Sequence, residues 1–159
     1  MCGPETPSNL PRIGARVDFV SRSSSRHLLG NLLFFNSSDA DDSSRATHVR
    51  FSRSSEGAAR SELELDHDES SVLVSIHITG DMTKPVEELG LPLQQFTLPV
   101  DQIINTDDDA EYDIALGESL SLIVGEGIIG RRVSMTKGSR LLGDGIVGYN
   151  SMPTVRSCL

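Results

Sequence analysis

Tryptophan is missing from this chain, and two tyrosines and five phenylalanines are the only aromatic side chains among its 159 residues. So small a supply argues against stacking platforms for bases or sugar rings and requires an aliphatic core. Cysteine is nearly missing too. Cys2 and Cys158 stand near opposite ends, whereas small secreted scaffolds carry several disulfides. Two free thiols in a reducing compartment is the simpler reading. No basic region followed by an apolar run opens the chain, so no signal peptide is expected. No stretch approaches the ~18 apolar residues of a membrane span. The expected location is therefore intracellular and cytoplasmic, and the sequon Asn36-Ser37-Ser38 is expected to stay unglycosylated.

Positive charge is also in short supply. The formal net charge is −9, with Lys84 and Lys137 as the only lysines. Residues 1–60 hold eight arginines against six acids, while residues 61–159 hold six basic residues against seventeen acids. Nucleic-acid binding rests on a basic surface that displaces phosphate counterions, so no nucleic-acid partner is expected. What remains is a composition 37% hydrophobic, with 14 glycines, in the range of a globular chain with one sizeable core.

The pattern within that composition is period two. In Ser71–Thr79 the β-branched residues Val72, Val74, Ile76 and Ile78 point one way in an extended chain, with Ser75, His77 and Thr79 pointing the other. Alternation of this kind marks a half-buried strand and predicts those four residues to be buried. Ala15–Val20 alternates in the same way. Leu28–Phe35 is almost wholly apolar and reads as a strand buried on both faces, with a bulge or bend at Gly30-Asn31. Residues 47–53 and 60–66 suggest a hairpin around Gly57, which would set Arg50 opposite Glu62 or Glu64. Further strands are expected near 95–100, 111–116, 120–124, 128–135 and 141–149, with tight turns at Gly117-Glu118 and Gly125–Gly127.

One helical signal interrupts the strands. Thr83–Gly90 has Pro85 near its start, Glu87 and Glu88 in its first turn and Gly90 at its end, which suits about two turns acting as an insertion or lid. The fold class implied is all-β: a single-domain antiparallel sandwich or barrel, a jelly roll among the options, with one short helix near 84–89. The organisation expected is an N-terminal arm at 1–11, a β domain at 12–150 and a C-terminal tail at 151–159.

Four motifs invite chemistry. Gly125-Glu126-Gly127-Ile128-Ile129-Gly130 matches G-x-G-x-x-G, but a dinucleotide site needs a helix next, and Arg131–Gly138 is β-leaning. Turn glycines are the better reading. The acids Asp107, Asp109 and Asp113 alternate as oxygen ligands for calcium would, with Asp66, Asp68 or Asp144 as conceivable helpers. Against an EF-hand, Ala110 stands where Gly is needed and Leu116 where the bidentate Glu belongs, so a solvated acidic turn competes with a cation site. His27, His48, His67 and His77 are the general-base candidates, yet no serine lies in a nucleophile elbow, and Asp144 fills the nucleophile position of Gly143-Asp144-Gly145. Arg131-Arg132-Val133-Ser134 matches a basophilic-kinase pattern, on a Ser expected within a strand.

No catalytic constellation survives this weighing, and no cofactor is expected beyond a possible calcium ion. The reading that follows is a non-catalytic protein-interaction or self-assembly module with a protein partner or a copy of itself. A viral coat- or matrix-type protein would suit it by fold analogy alone. The alternatives are a calcium-dependent binding module, or an enzyme whose site is assembled from distant loops.

Overall fold

The computed structural model describes residues 14–22, 26–36, 44–55, 59, 63, 71–99 and 111–150. Among the described residues nine strands run in chain order: β1 Ala15–Ser21, β2 Leu28–Phe35, β3 Arg45–Arg53, β4 Ser71–Ile76, β5 Gln94–Pro99, β6 Glu111–Ser121, β7 Arg132–Lys137, β8 Arg140–Ile146 and β9 Gly148–Tyr149. They form one sheet of order β5-β4-β7-β8-β1-β2-β3-β6, with β9 also paired to β1. Every pairing is antiparallel. The sheet curls until it is nearly closed into a barrel, with β5 and β6 at its two ends among the described residues. No helix among the described residues is long and apolar enough to cross a membrane.

Alternation decides which face becomes the core. Ala15, Val17 and Phe19 of β1 point inward against Phe34, Leu32 and Gly30 of β2. Val72, Val74 and Ile76 of β4, Val133 and Met135 of β7, and Val49 and Phe51 of β3 complete the interior, all at most 1% exposed. Burying side chains of this size contributes about 1.5–3 kcal/mol each before chain entropy is counted. β2 is buried on both faces as its composition implied: Leu33 and Phe35 point outward yet lie beneath Arg50 and His48. Its register against β1 slips at Phe19/Val20, next to Gly30. A side chain at Gly30 would run into the Ser52 carbonyl at 2.5 Å and the Phe51 ring at 3.0 Å.

Three local expectations are corrected. β3 does not form a hairpin with residues 60–66. It lies between β2 and β6, while Ala59 and Leu63 have helical backbone and are fully buried. Arg50 therefore stands opposite Asp113, and Glu62 and Glu64 fall outside the described residues. Second, Ile78 is 60% exposed, because β4 ends at Ile76 and the chain leaves the sheet after His77. Third, Gly117-Glu118 is no turn between strands. The register shifts within the continuous β6, where His48 pairs with Ala115 and Ala46 with Leu120, so that residues 116–119 stand against Thr47 alone as an enlarged bulge.

The helical signal condenses to the 3-10 turn Val86–Glu88, preceded by Pro85 and closed by Gly90 at φ +75. Gly125–Gly127 lies in a turn, as expected, but the turn runs on through Gly130, and the strand expected from 128 begins only at Arg132. The turn leads into β7 with no helix, and a Cβ on Gly127 would collide with the Ser121 carbonyl. The arm at 1–11 and the tail at 151–159 lie outside the described residues.

Candidate functional site

The outer face of β4, β7 and β8 carries a polar cluster that does not meet solvent. Ser134 on β7 stands opposite Ser75 on β4 and Asp144 on β8. Arg132 lies two residues before Ser134, so it shares that face and sits diagonal to Asp144. His77 extends β4 by one step, donating its backbone N–H to the Arg132 carbonyl at 2.8 Å. Ser75, His77, Arg132, Ser134 and Asp144 are all buried.

Gln95 of β5 donates to the Ser75 hydroxyl at 2.9 Å, while the chain between β4 and β5 folds back over Arg132. The Arg132 Nη1 donates to the backbone carbonyls of Lys84 at 2.7 Å and Asp81 at 3.3 Å, tying this segment to the sheet. Arg131 donates from Nη1 to the Ile78 carbonyl and from Nε to the Gly127 carbonyl. Within the segment, the Thr83 backbone N–H and hydroxyl both donate to the Asp81 carboxylate, at 2.9 and 2.5 Å. Those two bonds hold the Asp81 carboxyl below its ordinary range.

Asp144 is the hub. Its Oδ1 accepts from Arg22 Nε at 2.7 Å, and its Oδ2 from Arg22 Nη2 at 2.6 Å. The same Oδ2 accepts from Arg132 Nε at 2.9 Å and Nη2 at 2.6 Å. One carboxylate thus bridges two guanidiniums, each engaged through two N–H groups. Arg132 and Asp144 are each 2% exposed, whereas the Arg22 side chain is 37% exposed. The bond to Asp144 raises the Arg22 pKa further. The flanking glycines allow this placement. A Cβ at Gly143 would lie 2.6 Å from the Val20 carbonyl, and one at Gly145 would collide with the Asp18 carbonyl, so β8 packs flush against β1.

Beside the hub, the His77 Nε2 and Ser134 Oγ are 2.7 Å apart, while His77 Nδ1 is buried with no hydrogen-bond partner. Burial first, and the nearby Arg132 charge second, push the imidazole pKa down against a smaller opposing pull from Asp144. Ser134, His77 and Asp144 do not form a nucleophilic relay. Ser134 is completely buried, and the Asp144 carboxylate is held by arginines, not by imidazole Nδ1. The same burial removes Ser134 from the reach of a kinase.

A cavity of about 410 Å³ opens over the hub, lined by Val20, Ser21, Arg22, Arg26, Met82 and Asp144. Its size falls in the usual range for small-molecule sites. The sequence reading missed this cluster, although one signal was present. An acid between two glycines in an otherwise β-like run marks a close backbone approach with a side chain placed on it.

Of the expected calcium ligands, Asp113 is the one among the described residues. Asp113 lies on β6, where its Oδ1 accepts from Arg50 Nε at 2.7 Å and its Oδ2 from Arg50 Nη2 at 3.0 Å. Arg50 also stands 3.3 Å from Glu111, with its guanidinium 5.2 Å from the Phe35 ring centre. The bond to Arg50 holds the Asp113 carboxyl below its ordinary range. Asp107 and Asp109 lie outside the described residues, as do Asp66, Asp68, His67, Cys2 and Cys158. No group of three His, Cys, Asp or Glu side chains is placed to hold a metal among the described residues. His48 stacks on Phe35 with ring centres 5.8 Å apart, and its Nδ1 is 2.9 Å from the Thr47 hydroxyl. Compared with known proteins, the chain matches no protein-family model and shows no significant similarity to a curated protein.

Proposed function

We propose that this chain is a non-catalytic assembly and protein-interaction module that joins a copy of itself, or a protein partner, through the open ends of its sheet. The observation that carries this reading is that β5 and β6 each pair with one neighbour only among the described residues. The inward side chains of these two strands are also incompletely covered: Phe96 on β5, and Tyr112, Ile114 and Leu116 on β6, pack against the core while remaining half-buried. Unpaired edges of this kind accept another strand unless they are blunted. Exposed apolar residues adjoin both ends, with Leu91 and Leu93 before β5 and Ile123 and Val124 after β6. A coat- or matrix-type structural role would draw on this same property.

The test is light scattering on the intact chain, with calcium and with chelator. A calcium-independent oligomer is expected. Lysine is a natural edge-blunting residue, so Thr97→Lys on β5 combined with Ala115→Lys on β6, both at exposed positions, should give a monomer with an unchanged circular dichroism spectrum. A wild-type chain that stays monomeric at high concentration and captures no protein partner would overturn the reading. Salt-sensitive binding to DNA or RNA would also overturn it, since phosphate contacts lose affinity steeply with salt.

A further inference from the structure

We infer that the cavity over Asp144 is a binding site for a small organic phosphate monoester. Neither the edge strands nor the assembly reading enters this argument. The cavity lies on the outer face between the end of β1 and the segment that covers β7 and β8. Its charge census is the first support. Arg22 and Arg26 line it, against the single carboxylate of Asp144, which is itself held by the buried Arg132. Two guanidiniums against one carboxylate leave the lining net positive, in a chain whose net charge is −9, and a phosphate monoester is an anion at neutral pH.

The hydrogen-bond inventory is the second support. Asp144 uses both its oxygens on Arg22 and Arg132, so it has little left to offer a third cation. Arg22 spends Nε and Nη2 on Asp144, which leaves its Nη1 without a partner among the described residues. Arg26 is exposed, lines the cavity and makes no ion pair among the described residues. Guanidinium N–H groups in a fixed fork match phosphate oxygens. Asp144 holds Arg22 in place from beneath, so a ligand meets an oriented donor rather than a mobile one. Ser21 adds polar surface to the wall.

The rest of the wall selects an organic body over a bare ion. Val20 and Met82 present apolar surface to the same cavity. A volume of about 410 Å³ is far more than a phosphate group alone requires. Met82 belongs to the segment tied down by Arg132, so the apolar wall and the cationic floor are held together by the same buried network.

The experiment is a titration of the intact protein with phenyl phosphate, with inorganic phosphate and phenol as separate arms, read by calorimetry and by amide shifts around Arg22, Arg26 and Met82. Saturable binding of phenyl phosphate is expected, tighter than inorganic phosphate, with none for phenol. Arg26→Gln leaves the buried network intact and should weaken binding about tenfold to a hundredfold, the usual effect of one charge-assisted hydrogen bond. Met82→Glu, which places a carboxylate in the cavity, should abolish it, and an unchanged melting temperature in both variants would show that the fold persists. Absence of saturable binding at millimolar phenyl phosphate would overturn the assignment. Equal affinity for the wild type and Arg26→Gln would do the same, and equal affinity for inorganic and phenyl phosphate would refute an organic ligand.

Discussion

Asp144→Asn probes the polar network most directly. Asparagine keeps the shape of the side chain and removes its charge, and the consequence falls unevenly on the two arginines. Arg132 is 2% exposed and would keep neutral acceptors, the Asp81 and Lys84 carbonyls and the new amide oxygen, but no counterion. Leaving a buried charge without its counterion typically costs about 3–5 kcal/mol. Arg22 is 37% exposed and simply turns to water. Arg22→Gln should therefore cost no more than about 1 kcal/mol, because Asp144 retains both bonds to Arg132. The pair Arg132→Met with Asp144→Leu removes charge from both sides and should cost markedly less than the sum of its single changes, a coupling of about 2 kcal/mol or more. Urea denaturation followed by circular dichroism gives each value from midpoint and slope. A total stability of about 5–15 kcal/mol makes the Asp144→Asn loss easy to read. A loss below about 1 kcal/mol, or strict additivity in the pair, would refute the view that Asp144 neutralises a desolvated Arg132.

Three further outcomes follow from the same structure. Ile76→Ala opens a void at a site with no exposure and should cost about 2–5 kcal/mol in urea, a loss under about 1 kcal/mol being incompatible with a core position. His77 has a depressed folded pKa, so the unfolded chain takes up its proton first. Its contribution is complete above the ordinary imidazole range and is lost as pH falls through the folded value, so His77→Gln should flatten the decline of the urea midpoint as pH falls below about 7. Arg50→Ala should cost about 1 kcal/mol, since Asp113 is 46% exposed and solvent screens the pair. A loss above about 3 kcal/mol there would mean that the guanidinium holds β3 to β6.

Strands with one buried and one wet face were legible in the sequence. Val72, Val74 and Ile76 alternate with polar residues, and they are core. The polar cluster was not legible, for the same reason: Ser75, His77, Ser134 and Asp144 look like a solvated face, and nothing in those strands shows that other parts of the chain cover them. Nothing local announces that Arg132 will reach the carbonyls of Asp81 and Lys84. The 47–53 and 60–66 pairing failed because proximity along the chain is only a tendency in strand pairing. Leu63 and Leu65 fit an alternating pattern, but a helical backbone at Ala59 and Leu63 with both residues buried serves the core equally well. The bulge at 116–119 carries the Gly-Glu chemistry of a turn, and only the register against β3 distinguishes the two. The partner of Asp113 was not legible either, since it is an arginine 63 positions earlier.

The position of β1 in the middle of the sheet has a consequence for the order in which this protein becomes itself. Its outer neighbour β2 follows at once, but its other neighbours, β8 and β9, are among the last strands synthesised, and Arg22 meets Asp144 across 122 positions of chain. A nascent chain holding only β1, β2 and β3 therefore has two bare strands, one waiting for β6 and the other for β8. Closing such distant contacts is slow, on the order of milliseconds to seconds for β-rich domains of high contact order. During that interval the apolar faces of β1 and β2 are open to neighbours on the same polysome. Truncation before Gly143 would make this transient exposure permanent, yielding aggregates in place of a smaller domain.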